Sequence, residues 1–167
     1  SRGTAASDGL VLRHVIPLPA AFVAQTSTYA YKSFMGLFPE IGRAWVSSDT
    51  RLVLWSYAEE RILHGAPAAD DYYSYEGFDQ IIVTASLVRP RPGVFIDDVQ
   101  HLIAVATTVE VTLLGVTFSG NGPVGEISLI PTNISVATDG VIMHKIVSTP
   151  DGRIFMGGSD GNVHEFV

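Results

Sequence analysis

The chain has 167 residues, of which 47% are hydrophobic and 16% are charged, and this length is sufficient for one domain with a sizeable core. Ten Lys and Arg residues against 17 Asp and Glu residues give a net charge of -7, which argues against a nucleic-acid partner because such proteins cluster cations. The absence of cysteine excludes disulfides and cysteine-ligated zinc, and favours a reducing compartment.

The N-terminal quarter of the chain precedes the regular β pattern. Residues 1–16 lack the basic start and apolar core of a signal peptide, and we expect them to be a flexible terminus. A proline precedes a short helix predicted over Ala20–Tyr31, and Ser33–Ile41, interrupted by glycine and proline, is predicted to be an irregular apolar connector. The expected organisation is a flexible terminus, a helix and connector at 17–42, and β structure over 43–167.

The stretch Arg43–Tyr57 carries the strongest pattern in the sequence. β-branched and aromatic residues lie on either side of an Asp-Thr turn, with Trp45 on one arm and Trp55 on the other. This spacing predicts a β-hairpin with one face buried. Similar patterns at His101–Val116 and Arg153–Val167 predict two further hairpins, so the chain has the character of a repeat protein.

The segments between the hairpins predict further strands and loops. Ala58–Gly77 is polar and is predicted to be a surface loop, and Ile81–Val88 is predicted to be a strand that ends at a proline-rich turn. The second hairpin is expected to extend and return as Glu126–Ile130. Ile134–Ala137 and Val141–Ser148 are expected to form a strand pair of their own.

The spacing of the three hairpin turns predicts a β-propeller. The interval from Asp49 to Thr107 is 58 residues and that from Thr107 to Asp160 is 53 residues, which fits one four-stranded blade each with loop insertions. A sandwich of short strands is the alternative. Because a propeller closes with roughly four to eight blades, we expect an all-β, partial β-propeller of about three blades whose ring continues beyond residue 167.

Sequence motifs for catalysis or cofactor binding are missing. The five histidines show none of the close helical spacings that favour a zinc site, and the chain lacks a nucleophile elbow or a glycine-rich phosphate loop. Adjacent acidic pairs fall in predicted loops and are interpreted as solvated. We therefore expect no catalytic residue, no metal site and no cofactor.

Four apolar residues of the connector form the candidate binding surface: Phe34, Met35, Leu37 and Phe38. They either pack the connector onto the first blade or line a groove for the apolar anchor of a partner peptide. Under the second interpretation, substitution of Phe34 or Phe38 is expected to weaken binding of that peptide.

A set of sequence blocks carries a resemblance across nearly the whole chain from residue 17 onward. The blocks are PLPAAF (Pro17–Phe22), MGLFPEIGRAW (Met35–Trp45), LWSY (Leu54–Tyr57), SLVRPRPGVF (Ser86–Phe95), HLIAVATTVEVTLLGV (His101–Val116) and DGRIFMGGSDGNVHEF (Asp151–Phe166). In this order they resemble the N-terminal β-propeller domain of the large inner-ring scaffold nucleoporins. The resemblance implies a seven-bladed propeller followed, in the full protein, by an α-helical solenoid.

The resemblance also implies a function. It implies a structural, non-catalytic scaffold of the nuclear pore complex at the nuclear envelope, acting in nucleocytoplasmic transport. The implied partners are other nucleoporins, among them a linker nucleoporin whose short motif binds the early blades, with membrane contact through parts outside this segment. Arg43–Tyr57 would then be the outer half of blade one, with its tryptophans in the core or between blades.

Other functions remain open at this point. One alternative is a different propeller-type protein interaction module. A second is a propeller hydrolase whose catalytic residues converge on the central channel. A peripheral membrane binder is a further alternative. The acidic net charge and the absence of a basic amphipathic helix argue against membrane binding by this segment alone.

Overall fold

The computed structural model describes Val23 and residues 33–57, 72–96, 99–120 and 125–167. These residues form an all-β structure, as predicted. The strands are β1 (Ser33–Phe38), β2 (Arg43–Ser48), β3 (Arg51–Ser56), β4 (Tyr72–Tyr75), β5 (Ile82–Val88), β6 (His101–Thr107), β7 (Glu110–Phe118), β8 (Ile127–Ala137), β9 (Met143–Ser148), β10 (Ile154–Gly158) and β11 (Val163–Phe166). The predicted terminus at 1–16 lies outside the described residues, as does the predicted helix except for Val23, which is helical.

The strands form three antiparallel sheets in chain order. Sheet one is β1-β2-β3-β4, sheet two is β5-β6-β7-β8, and sheet three contains β9, β10 and β11. The first strands of consecutive sheets lie against each other, β1 against β5 and β5 against β9. Three successive meander sheets that meet through equivalent strands are three blades of a β-propeller. The predicted fold class is therefore confirmed, and the two-sheet sandwich is excluded.

The three predicted hairpins are present as β2–β3, β6–β7 and β10–β11. Each joins the second and third strands of its sheet, which explains their regular spacing along the chain. The prediction that the first hairpin is the outer half of its blade is wrong, because β2 and β3 are the two central strands of sheet one. The expectation of one buried face is also wrong, since Ala44, Trp45 and Val46 are all buried.

Two apolar cores fill the spaces on either side of sheet two. On β6, Ile103 and Val105 belong to the core shared with sheet one, whereas Leu102, Ala104 and Ala106 belong to the core shared with sheet three. Alternate residues of a strand point to opposite faces. A strand with an uninterrupted apolar run is therefore buried on both faces, and sheet two lies between its neighbours.

The predicted irregular connector is instead a regular strand, β1, followed by a 3-10 turn at Pro39–Ile41. β1 pairs residue by residue with β2, from Ser33 opposite Ser48 to Phe38 opposite Arg43. The glycine that suggested irregularity, Gly36, lies beneath the Trp45 ring, where an added Cβ would be 2.7 Å from the indole Nε1. Glycine here permits close ring packing and does not interrupt the strand.

Two further sequence expectations are wrong. Of the predicted loop Ala58–Gly77, the described part contains β4, which pairs with β3 as the outer strand of sheet one. The predicted pair of Ile134–Ala137 with Val141–Ser148 does not form, because the former ends β8 and the latter contains β9 in sheet three. The intervening Thr-Asp-Gly turn therefore connects two blades, and turn chemistry alone does not distinguish such a connection from a hairpin.

A close backbone contact joins sheets two and three. Gly152, in the turn before β10, has φ 83°, and a Cβ added to it would lie 2.7 Å from Arg91 Cα and 2.9 Å from the Pro90 carbonyl oxygen. Glycine is required at Gly152 both for its backbone conformation and for the space it leaves. The proline-rich segment of sheet two thus rests directly on the turn of sheet three.

A side-chain contact joins the outer strands of sheets one and two. The Tyr73 hydroxyl on β4 accepts a hydrogen bond from the Leu129 N–H at 3.2 Å and donates one to the Leu129 carbonyl oxygen at 3.5 Å. Both backbone groups of Leu129 on β8 are therefore satisfied from the neighbouring blade, as half-buried polar groups require.

We predict that Gly152→Ala destabilises the fold more than Gly140→Ala. Gly140 has the same φ of 83° but has nothing within 4 Å of an added Cβ, so its substitution costs only about 1 kcal/mol for the backbone conformation. The contact with Arg91 adds about 1–3 kcal/mol at Gly152. Urea denaturation of the two variants measures the difference, and equal midpoints would contradict the proposed contact between sheets.

We predict that Tyr73→Phe lowers the free energy of unfolding by about 1 kcal/mol, because it leaves both Leu129 backbone groups without their partner. Tyr72→Phe is the matched control, since the Tyr72 hydroxyl makes no hydrogen bond with the described residues. Chemical denaturation measures both variants. A loss for Tyr72→Phe as large as that for Tyr73→Phe would show that the hydroxyl bridge contributes nothing specific.

Candidate docking surface

Strand β1 presents an exposed apolar strip at one edge of sheet one. Met35 is 68% exposed and Leu37 is 60% exposed. They point to the same face because they are two residues apart on the strand. We call Met35 and Leu37 the β1 strip. Exposure of two long adjacent apolar side chains is typical of a surface that is covered in the complete protein, either by a partner or by another part of the same propeller.

The other two predicted site residues point to the opposite face of β1. Phe34 is 36% exposed, whereas Phe38 is only 2% exposed. The Phe38 ring stacks on Trp45 with centroids 6.0 Å apart and an interplanar angle of 21°, within the core between sheets one and two. Phe38 therefore belongs to the core, and it is the one of the four predicted residues that is buried.

The β1 strip continues an apolar cluster on the same face of sheet one. Met35 lies opposite Val46 and Leu37 opposite Ala44 in the β1–β2 register. Both partners are buried, together with Val53 and Trp55, in a cluster separate from the two inter-sheet cores. The exposed strip is thus the border of a larger apolar face of the first blade.

The backbone beneath the strip is held in place by a side chain of β2. The Phe34 N–H donates a hydrogen bond to Ser47 Oγ at 3.2 Å, and the Ser47 hydroxyl lies 3.4 Å from the Phe34 carbonyl oxygen, which accepts from it. Ser47 itself is buried. A partner would therefore meet a preorganised strand, which reduces the entropy lost on binding.

The perturbed ionisable groups have structural causes. Hydrogen bonds from Asn162 in the last hairpin turn lower the pKa of Asp160 to about 2. A hydrogen bond from Arg153 lowers the pKa of Glu165 on the adjacent strand, and burial lowers the pKa of His101. Each cause is local, and these three groups lie on different elements and do not converge on one cavity.

Two other kinds of site are absent from the described residues. In the described ranges, the acidic, histidine and cysteine side chains form no group of three placed to hold a metal ion. Within those same ranges, no helix has the length and apolar character needed to cross a membrane. Among the described residues, the exposed β1 strip is the surface feature best suited to binding another protein segment.

Comparison with known proteins gives a consistent result. Residues 8–167 match a family model described as Nup133 N terminal like. A probable nucleoporin of Schizosaccharomyces pombe is 38% identical over 156 residues, which are 93% of this chain and 11% of that protein. Nup154 of Drosophila melanogaster is 42% identical over 132 residues, which are 78% of this chain and 9% of that protein.

The fold also matches a solved structure. The crystal structure of the Chaetomium thermophilum Nup170 NTD-Nup53 complex superimposes with a TM-score of 0.77 and 39% identity, over 93% of this chain and 21% of that chain. The chain thus spans about a tenth of the length of the curated relatives it matches. The family match, the identities and the superimposed blades agree, and the chain belongs to the nucleoporin family whose model is described as Nup133 N terminal like.

Proposed function

We propose that this chain is part of a structural scaffold nucleoporin of the inner ring of the nuclear pore complex. Its propeller would bind other nucleoporins and contribute to attachment at the nuclear envelope and to nucleocytoplasmic transport. The observation that supports this most directly is the fold of a Nup170 domain solved together with Nup53, which covers 93% of this chain at 39% identity.

The proposed role is non-catalytic. The relatives are named as nucleoporins, and continuous apolar cores join the described blades; close-packed interiors of this kind have low compressibility. A rigid stack of sheets supports recognition by fixed surfaces, since the partner alone pays the entropy of ordering. The packed blades therefore support a scaffold role, in which a preformed surface binds partners and no reaction is catalysed.

The β1 strip is the proposed contact for an apolar anchor of a nucleoporin segment. Full burial of one such side chain contributes about 1.5–3 kcal/mol, so Met35 and Leu37 would supply part of the free energy that binds a short linear motif. Phe34 is partly exposed, but it points to the opposite face of β1 and is not part of the strip. Phe38 supports the strip from within the core through its contact with Trp45.

We predict that Met35→Asp with Leu37→Asp weakens binding of a Nup53-type segment by at least about tenfold, because two carboxylates replace the apolar anchor site. The matched control is Val147→Asp with Val163→Asp, two exposed apolar residues on β9 and β11. Titration calorimetry with the full-length protein measures both. Unchanged affinity in the β1 variant, or an equal loss in the control, would remove the strip from the proposed contact.

We predict that Phe38→Ala acts on stability, with a loss of about 3–5 kcal/mol because it opens a cavity beside Trp45. Met35→Ala, at an exposed position of the same strand, is expected to change stability by less than about 0.5 kcal/mol. Thermal or urea denaturation distinguishes the two. If Phe38→Ala is as stable as Met35→Ala, the assignment of Phe38 to the core is wrong.

A further inference from the structure

A cavity with polar and apolar walls lies where the first strands of the three sheets end. Its volume is about 410 Å³, which is within the roughly 300–1,000 Å³ of typical small-molecule sites. Glu40 follows the end of β1, Arg89 follows β5 and Thr149 follows β9, and all three line the cavity. Each blade therefore contributes a residue from an equivalent position in its sheet.

The position of the cavity follows from the strands that form it. β1, β5 and β9 are the first strands of their sheets and lie against one another, as expected for the strands that surround the central channel of a propeller. The cavity lies at the ends of these strands and therefore on the face of the propeller beside the mouth of that channel. Its walls are formed where the three described blades meet, and the last hairpin β10–β11 does not line it.

Basic side chains predominate among the ionisable groups of the cavity. Arg89, His101 and Lys145 line it with one acid, Glu40, although the chain as a whole has a net charge of -7. Arg89 and Lys145 are exposed, and neither forms an ion pair with the described residues. Two cationic side chains from adjacent blades are thus available to a ligand.

His101, the first residue of β6, lies between charges of two blades. Burial lowers the pKa of its imidazole, while Glu40 raises that pKa and Arg89 lowers it. Electrostatic effects of this kind weaken with distance, so the three side chains lie close together. The half-buried imidazole is mainly neutral at pH 7, and its ring N–H is a hydrogen-bond donor beside the cations.

A hydrogen bond fixes two walls of the cavity relative to each other. The Arg89 N–H donates to Ser148 Oγ at 3.3 Å, which joins the ends of β5 and β9. Within the described ranges the Ser148 hydroxyl proton has no acceptor, so it is available to donate to a ligand. The walls are therefore preorganised, and little entropy is lost when a ligand binds.

We propose that this cavity binds a small phosphorylated polyol, a molecule that carries both phosphate and hydroxyl groups. Guanidinium and ammonium groups form charge-assisted hydrogen bonds with phosphate oxygens, so the phosphates would contact Arg89 and Lys145. The Glu40 carboxylate repels a phosphate but accepts a hydrogen bond from a hydroxyl, so a ligand hydroxyl would contact Glu40. A simple phosphate ion satisfies only the cations. This site goes beyond the proposed scaffold role and does not depend on the β1 strip.

The test is titration calorimetry of the full-length protein with myo-inositol trisphosphate at low salt. Inorganic phosphate, myo-inositol and citrate are the comparison ligands, because they lack the hydroxyls, the charge and the phosphates, respectively. We expect the trisphosphate to bind at least about tenfold more tightly than each of the three. We also expect its affinity to fall as salt is added, because the cations that bind it are exposed.

Four variants locate the binding. We expect Arg89→Gln and Lys145→Gln each to weaken binding of the trisphosphate by about tenfold, without loss of the fold because both side chains are exposed. Arg51→Gln removes the same charge on β3, outside the cavity, and we expect it to have little effect. Glu40→Ala should strengthen binding of inorganic phosphate and reduce the preference for the trisphosphate, because it removes both the repulsion and the hydroxyl acceptor.

Three outcomes would overturn the proposal: equal affinity for the trisphosphate and citrate, equal losses for Arg89→Gln and Arg51→Gln, or an unchanged preference for the trisphosphate in Glu40→Ala. Vesicles that contain phosphatidylinositol bisphosphate distinguish the source of the ligand. Arg89-dependent binding to these vesicles would support a lipid headgroup as the source, and binding to the free trisphosphate alone would support a soluble ligand. The Met35→Asp, Leu37→Asp variant should bind the trisphosphate normally, so failure at the β1 strip and failure at the cavity are separate results.

Discussion

Burial of both faces of sheet two is the constraint on which the rest of the structure depends. The β6 run from Leu102 to Ala106 is apolar at every position and fully buried, so its odd and even residues need separate cores. Sheet one and sheet three supply them. Side-by-side stacking of blades follows from this requirement, because a sheet with two apolar faces is stable only when other sheets cover both.

Directional contacts then determine how adjacent blades align, since apolar packing alone is non-directional. The buried Arg43 of sheet one donates from Nη2 to the Gly125 carbonyl oxygen at 2.8 Å and lies over the Phe118 ring at 5.9 Å, both beside the β7–β8 turn. At the other end of β2, the Asp49 carbonyl oxygen accepts a hydrogen bond from the Ile82 N–H of β5 at 2.7 Å. These contacts hold the seam between the first two blades at both ends.

The outer edge strand β8 carries features that protect it from pairing with another chain, and the inner edge strand β1 does not. On β8, Pro131 lacks an N–H, and the pairing register shifts opposite Leu113 and Leu114. The backbone N–H of Leu129 is hydrogen-bonded to the Tyr73 hydroxyl. Proline and bulges of this kind protect an edge strand from pairing with other chains. The β1 edge carries Met35 and Leu37 with no such protection among the described residues. This contrast supports a recognition role for the inner edge of sheet one.

The sequence by itself determined the all-β class, the three hairpins and the blade repeat, because these depend on local alternation and turn chemistry. It did not reveal that Ser33–Phe38 is a strand, since the glycine there is explained only by the Trp45 ring packed on it. It also grouped Phe38 with Met35 and Leu37, which the pairing of β1 with β2 places on opposite faces. The contacts across the blade seams are likewise a product of tertiary structure, because only the packing of one blade against the next brings Tyr73 on β4 to Leu129 on β8.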